Sequence, residues 1–148
     1  MSATKNTIAV WTNNPHRKEA LASGAMYPGM CVQRTSATVD TVIVQATAEV
    51  APTPLLILEE DELQGKELTE VYATGKRVFF RTPYPGDYFG LLLADGQNVA
   101  KADFLTPVGD GTWKKATGSM IKVAQALEAK DLSASSNTAN DIVLAEIC

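Results

Sequence analysis

The stretch that decides the fold is residues 75–129, which read GKRVFFRTPYPGDYFGLLLADGQNVAKADFLTPVGDGTWKKATGSMIKVAQALEA. It alternates short apolar runs with groups of turn residues. The apolar runs are 77–81, 88–94, 104–105 and 121–127, and the turn groups are 83–87, 95–98 and 109–111. Strand-length apolar segments closed by turn residues at short intervals are typical of a small antiparallel barrel or sandwich. The sequence therefore predicts a compact, mainly β domain.

Further strands are predicted on both sides of this stretch. Upstream they are residues 30–32, 38–47 and 55–58, and downstream the chain ends on the apolar run 142–147. Both faces of segment 38–47 are mixed, so we expect it to be covered on both sides. Residues 122–130 contain good helix formers, but their neighbours favour a strand that pairs with the terminal strand. We predict the strand, because tertiary context routinely overrides intrinsic propensity.

One short helix is predicted between the third strand and residue 75. Leu68, Val71 and Tyr72 have the spacing of one buried helical face, and Gly75 suits a helix stop. The acidic run Glu59–Glu62 precedes it. We interpret that run as a solvated loop, because adjacent carboxylates do not converge on one metal ion as spaced ones do.

Residues 1–24 are predicted to be an extended N-terminal arm, separate from a β-rich domain at 25–148. The segment is polar, with one possible short strand at 7–11 and a turn at 12–15. A frayed terminus is the alternative. Trp11 argues against it, because so large an aromatic side chain usually occupies a pocket.

Composition excludes several classes of function. The formal net charge is −4 and no basic run exceeds two residues, so binding to nucleic acid through its phosphates is not expected. The longest apolar run, Leu55–Leu58, is too short to span a bilayer, and residues 1–6 do not introduce an apolar secretion signal. Cys31 and Cys148 lie far apart and are predicted to be unpaired thiols of a reducing cytosol.

No residue cluster in the sequence is typical of an active site, although its many Asp and Glu residues leave a glycosidase-type carboxylate pair open. His16 is the single histidine, so neither a zinc site nor a Ser or Cys triad is expected. Gly109–Gly111 lacks the lysine of a phosphate-binding loop, and Asp110 would repel phosphate. We therefore predict no enzymatic activity, no metal and no cofactor. Tyr84, between two prolines in a turn, is predicted to be exposed as an anchor at a protein interface, with a packed turn aromatic as the alternative.

Several motifs, in order, resemble the head decoration (cement) proteins of tailed bacteriophages. The resemblance covers roughly residues 25–148. Its motifs are at 27–32 (YPGMCV), 63–66 (LQGK), 72–78 (YATGKRV), 85–87 (PGD) with 91–93 (LLL), 94–105 (ADGQNVAKADFL), 109–112 (GDGT) and 124–129 (AQALEA). Where that family often has glycine before Asp103, this chain has Ala102, which is a departure in one turn.

The resemblance implies a β-tulip domain that forms a homotrimer on the outer surface of an icosahedral capsid. Such trimers clamp neighbouring major capsid subunits and stabilise the mature shell. It also implies a virion protein made in the host cytoplasm, with the major capsid protein as partner and no contact with nucleic acid or membrane. From the apolar residues of the arm and the exposed turn, we expect Ile8, Val10, Trp11 and Tyr84 to contact the capsid or a neighbouring protomer.

Two alternatives remain open at this stage. One is a host-surface or glycan-binding β module displayed on a particle, with Tyr84 and Trp113 as stacking residues. The other is a β-barrel carrier domain, suggested by the turns at 96–99 and 102–105. A carrier needs a lysine at a hairpin tip, usually beside methionine, and no Met-Lys pair occurs.

Overall fold

The computed structural model describes residues 7–61, 70–134 and 141–148. Within these ranges the chain forms thirteen β-strands and no helix. The strands are β1 (Ala9–Trp11), β2 (Lys18–Ala22), β3 (Cys31–Arg34), β4 (Thr41–Val44), β5 (Leu56–Glu59), β6 (Arg77–Arg81), β7 (Tyr88–Leu92), β8 (Asn98–Val99), β9 (Phe104–Pro107), β10 (Trp113–Lys115), β11 (Ala124–Ala126), β12 (Lys130–Asp131) and β13 (Ile142–Ile147). The expected mainly β fold is confirmed.

Six strands form one open sheet in the order β1-β7-β13-β11-β9-β10, and all its pairings are antiparallel. The terminal strand β13 lies inside this sheet, where Ile142 pairs with Leu92 and Ala145 with Phe89. On its other side Ala145 pairs with Ala126, so the strand predicted within 122–130 and its pairing with the terminal strand are confirmed for residues Ala124–Ala126. Strands β8 and β12 pair separately as a small ribbon.

Five strands close into a barrel in the order β2-β4-β3-β5-β6. Four of its pairings are antiparallel, but β2 runs parallel to β4, with Leu21 opposite Thr41. The expectation of a purely antiparallel barrel is corrected in this one pair. β2 lies between β4 and β6 in the closed barrel, parallel to β4 and antiparallel to β6.

The barrel and the open sheet share a wall made by β3 and β5. Val32, Leu56 and Leu58 point into the barrel core, whereas Cys31 and Ile57 belong to the core beneath the open sheet. Because side chains alternate along a strand, these strands are apolar on both faces. Leu56, Ile57 and Leu58 are buried, as predicted for the run at 55–58, whereas Leu55 is partly exposed.

Gly29 joins the two layers at a point where a side chain would not fit. Its nitrogen donates to the carbonyl of Leu58 in the barrel (2.9 Å), and its carbonyl accepts from the nitrogen of Leu92 in the sheet (3.1 Å). A Cβ at this position would lie 3.0 Å from that same nitrogen, and φ is +89°. The turn predicted at Tyr27–Met30 therefore holds barrel and sheet together.

The prediction of a short helix is wrong for the part of that segment that the structure describes, from residue 70 onward. Val71 is not helical, and Tyr72 forms an isolated bridge with Met26 while its hydroxyl donates to the carbonyl of Glu59 (2.7 Å). These tertiary contacts replace the local bonds of a helical turn. Leu68 lies outside the described residues.

The extended arm is corrected for residues 7–24. β1 pairs with β7, and β2 pairs with β4 and β6, so this segment completes both the sheet and the barrel. Ala20 and Ala22 are buried in the barrel, where small side chains suffice. The sequence pattern was weak because β2 contributes alanines rather than large apolar residues. Residues 1–6 of the predicted arm lie outside the described part of the chain.

Candidate functional site

Strand β1 is one edge of the open sheet and exposes two large apolar side chains. Val10 is 44% exposed and Trp11 53% exposed, although they are consecutive residues. A register shift between Ala9 and Trp11 explains this, since an irregularity interrupts the strict alternation of faces. The other edge of β1 has no partner among the described strands.

Two tyrosines extend this exposed surface. Tyr88 lies opposite Trp11 on β7, and the two ring centroids are 6.0 Å apart with planes inclined by 56°. Tyr84, in the turn before β7, is 48% exposed, which confirms the predicted exposure. Val10, Trp11, Tyr84 and Tyr88 are here called the aromatic edge.

Asp87 holds the two halves of the aromatic edge together. Its side chain is fully buried, and its carboxylate accepts from Thr12 Oγ1 (2.5 Å), the nitrogen of Asn13 (3.0 Å) and the nitrogen of Tyr84 (2.9 Å). One acidic side chain thus ties the segment after Trp11 to the turn that carries Tyr84. Bonds to an ionised acceptor are stronger than neutral ones, so the arrangement is preorganised.

The turn that carries Tyr84 follows from local sequence. Pro85 and Gly86 occupy its central positions, Gly86 has φ +92°, and the nitrogen of Asp87 donates back to the carbonyl of Tyr84 (3.0 Å). Proline followed by glycine with positive φ is the signature of a type II turn. Sequence reasoning found the turn and Tyr84, but it missed Asp87 and Tyr88. Asp87 bonds to Thr12 and Asn13, and Tyr88 contacts Trp11, all more than seventy residues away.

Ile8 is not part of this surface, which corrects one predicted contact residue. Its side chain is fully buried in the sheet core, and its nitrogen donates to Glu60 Oε2 (3.0 Å). Gly90 lies beside it. A Cβ on Gly90 would meet Ile8 Cδ1 at 3.5 Å, an ordinary contact, but would clash with Ile142 Cγ2 at 2.7 Å.

Residues 59–61 of the acidic run, which starts at the last residue of β5, are buried, so the solvated-loop interpretation is wrong for them. Glu59, Glu60 and Asp61 are each at most 4% exposed. Arg81 Nε lies 3.0 Å from Glu59 Oε2, and Arg17 Nε lies 3.9 Å from Glu59 Oε1. Glu62 lies outside the described residues.

Burial outweighs these arginines in setting the ionisation of Glu59. Desolvation raises the pKa of the Glu59 carboxyl, and the charges of Arg81 and Arg17 offset that rise only in part. This is the expected balance for an ion pair taken out of water, where the desolvation cost can exceed the attraction. The buried acidic residues also support the segment before β1, because Glu60 Oε2 accepts a hydrogen bond from the nitrogen of Ile8.

The structure offers no arrangement for the alternative based on Trp113. That ring is fully buried and its Nε1 donates to the carbonyl of Gly29 (3.2 Å), so it cannot stack on a sugar.

The cysteines are unpaired, as predicted. Burial raises the pKa of the Cys31 thiol to about 12, whereas Cys148 is exposed. Across the described ranges, no three His, Cys, Asp or Glu side chains are grouped to hold a metal ion. No helix there is long and apolar enough to cross a membrane.

The chain is similar to the N base of the head fiber gp8.5 of bacteriophage phi29. The TM-score is 0.58 with 14% sequence identity, and the match covers 90% of this chain and 93% of that chain. No family model and no curated protein matches the sequence.

At 14% identity the similarity establishes the fold alone. It does extend over nearly the whole of both chains, so barrel and open sheet are shared as one arrangement rather than as a local motif. The mainly β architecture predicted from residues 75–129 is therefore found in a solved structure as well.

Proposed function

We propose that this protein is a structural component of a bacteriophage head. In this proposal it binds the outer surface of an icosahedral capsid as a homotrimer and clamps neighbouring major capsid subunits. The observation that carries the proposal is the fold similarity to the base of a phage head fiber over nine-tenths of each chain. The motif resemblance of residues 25–148 to head decoration proteins supports it independently.

The aromatic edge is the contact surface that we propose. Interfaces are enriched in tryptophan and tyrosine, and truncating such a residue often removes a large share of the binding free energy. Trp11 and Tyr84 are each about half exposed, whereas eight large side chains of the sheet core are at most 1% exposed. An unpaired edge strand is also a surface on which another chain can align.

Avidity explains how modest contacts would hold the protein on the shell. Each protomer of a trimer contributes one set of contacts, and the second and third form at high effective concentration. If only the expanded lattice presents all the sites, binding stabilises that lattice by linkage. Stabilisation then needs no catalytic group and no cofactor.

Co-sedimentation with heads that lack this protein tests the proposal. Purified chain is mixed with such heads from the encoding phage, and its mass in solution is measured by light scattering. We expect the mass of three chains and saturable binding. Trp11→Ala should reduce head binding by about 30-fold or more, because losing an interface tryptophan commonly costs at least about 2 kcal/mol.

Val39→Ala is the matched control. Val39 is 61% exposed and lies between β3 and β4, away from the aromatic edge in sequence and sheet. Its truncation should leave binding unchanged, and both variants should keep the wild-type unfolding temperature. A chain that does not bind heads contradicts the proposed function, whereas equal binding by Trp11→Ala and Val39→Ala contradicts only the aromatic edge as the contact.

A further inference from the structure

The N-terminal segment 8–17, here called the strap, is held to the rest of the protein mainly by polar contacts. It contains β1 and the connection to β2, and Ile8 is its one large apolar side chain that is fully buried. At one end of the strap, the nitrogen of Ile8 donates to Glu60 Oε2 (3.0 Å). At the other end, the guanidinium of Arg17 donates to the carbonyl of Glu60. Glu60 therefore bonds to both ends of the strap.

Glu59 and Arg81 bind the strap at the same end as Arg17. Arg81 Nε donates to Glu59 Oε2 (3.0 Å), and a second nitrogen of the same guanidinium donates to the carbonyl of Asn14 in the strap (3.2 Å). Arg17 Nε lies 3.9 Å from the other carboxylate oxygen, Glu59 Oε1. The Glu59 carboxylate thus lies between two arginines, of which one belongs to the strap and the other binds it.

The hydroxyl of Tyr72 lies among the same charges. It donates to the carbonyl of Glu59 (2.7 Å). Burial raises the pKa of the Tyr72 phenol, and the carboxylates of Asp61, Glu60 and Glu59 raise it further, whereas Arg17 lowers it. All four side chains are therefore close enough to Tyr72 to act on one another through space.

Arg17, Arg81 and the acidic residues 59–61 are here called the buried charge cluster. Within the described part of the chain, it brings three carboxylates together with two guanidinium groups. The three acidic residues are at most 4% exposed, and Asp61 Oδ1 has no hydrogen-bond partner there. Because burial and neighbouring negative charge both disfavour an ionised carboxylate, such a cluster tends to take up a proton. Burial accordingly raises the pKa of the Glu59 carboxyl, and the two arginines offset that rise only in part.

We propose that the buried charge cluster is a proton-dependent switch that keeps the strap closed at mildly acidic pH and lets it open more often as the pH rises. When the strap lifts, Arg17 leaves with it and water reaches Glu59. Burial acts on the Glu59 carboxyl more strongly than Arg17 does, so the pKa of that carboxyl is higher in the closed state than in the open state.

The direction of the switch follows by linkage. The closed strap binds a proton on Glu59 more readily than the open strap, so acid favours closure, and this contribution is lost as pH rises through the pKa of the closed state. The switch acts within one chain and does not depend on capsid attachment, so the two proposals can fail separately.

Amide hydrogen exchange of the purified chain between about pH 5 and about pH 8 tests the switch. Protection factors, from which the intrinsic pH dependence of exchange is divided out, are measured for Ile8 and Asn13 in the strap and for Val123 and Ala126 in the open sheet. Protection should be lower in the strap than in the sheet at each pH, because the strap opens without global unfolding. Strap protection should fall by about 5-fold or more over this range, since one proton linked to opening changes the equilibrium by up to about tenfold per pH unit. Equal protection of strap and sheet, or strap protection that does not change with pH, overturns the proposal.

Three variants assign the pH dependence to the cluster. Glu59→Gln keeps the shape of the side chain but cannot ionise, so it should remove the pH dependence and keep the strap closed over the whole range. Glu60→Gln keeps an oxygen for the Ile8 nitrogen but removes a charge that raises the pKa of Glu59, so the midpoint of the response should move to lower pH.

His16→Gln is the matched control. His16 is an exposed residue of the strap, and histidine side chains generally titrate in the same pH range. Its replacement should leave the response as in the wild type. A response that persists in Glu59→Gln, a midpoint that does not move in Glu60→Gln, or a response that disappears in His16→Gln overturns the proposal.

Discussion

Asp87→Asn should destabilise the protein and loosen the aromatic edge. The carboxylate of Asp87 accepts three hydrogen bonds, from Thr12, Asn13 and Tyr84, and two of these donors are backbone N–H groups bound to different oxygens. An asparagine amide keeps only one oxygen at this place. Its NH2 group must then face one of the two backbone donors, whichever way the amide is turned.

The expected magnitude follows from that count. One part-buried N–H loses its acceptor, which costs about 1–2 kcal/mol, and the remaining bonds lose their charge assistance at roughly 1 kcal/mol. The sum is about 2–3 kcal/mol. For a chain of this size it corresponds to a fall in unfolding temperature of roughly 4–12 °C.

Chemical denaturation and amide hydrogen exchange are the two assays. Denaturation should report the loss of unfolding free energy. Exchange at the Asn13 and Tyr84 amides should accelerate, while amides of the barrel strand β3 change only by the global loss of stability. Asp95→Asn is the control, because Asp95 is an exposed carboxylate in a turn of the same domain. The reasoning is refuted if Asp87→Asn lies within about 0.5 kcal/mol of the wild type, the range of an ordinary surface substitution.

Two other substitutions test single features of the fold. Ala102→Gly should stabilise the protein by about 1 kcal/mol, because Ala102 has φ +77° and a side chain is strained there; denaturant titration should show no such gain for Ala100→Gly, and equal effects would contradict the explanation. Arg81→Met should cost about 3 kcal/mol at pH 7, because it leaves Glu59 buried and charged. Since burial raises the pKa of Glu59 in the fold, this deficit should shrink as pH falls through that pKa and the carboxyl is protonated. Denaturation curves at several pH values would measure this, and a deficit that does not change with pH would be the contrary result.

Ala102 also shows how a strained backbone position is accommodated. A residue in the left-handed region is most often glycine, so alanine at this position questions the turn. The structure keeps the turn, with Ala102 in the left-handed region, its nitrogen bonded to the carbonyl of Ala126 (2.8 Å) and its carbonyl bonded to Gln125 Nε2 (3.1 Å). Pairing with β11 compensates for the local strain.

Local patterns predicted those elements whose signals lie within a few residues. The bounds of β6 and β13 coincide with the apolar runs 77–81 and 142–147, and the turn at Pro85 and Gly86 has the conformation that its residues require. Strand periodicity and turn chemistry depend on neighbouring residues alone. The exposed Tyr84 followed from the same turn.

Burial of charge and use of the N-terminal segment could not be predicted this way. Glu59 is buried because Arg17 reaches it from more than forty residues away, and β2 is a strand because β4 and β6 receive it. In the sequence, an acidic run and an alanine-containing segment carry no sign of these partners. The isolated bridge of Tyr72 with Met26 replaced the predicted helix for the same reason.

The sequence by itself thus determined a mainly β domain, most of its strands in the region 75–129, and an exposed tyrosine between two prolines. Only the tertiary structure decided which apolar residues of the first strand face outward and which acidic residues face inward. The physical reason is that strand pairing is long-range. Ile8 is buried and Trp11 exposed because of how β1 docks on β7 beside Gly90, a contact between residues about eighty positions apart.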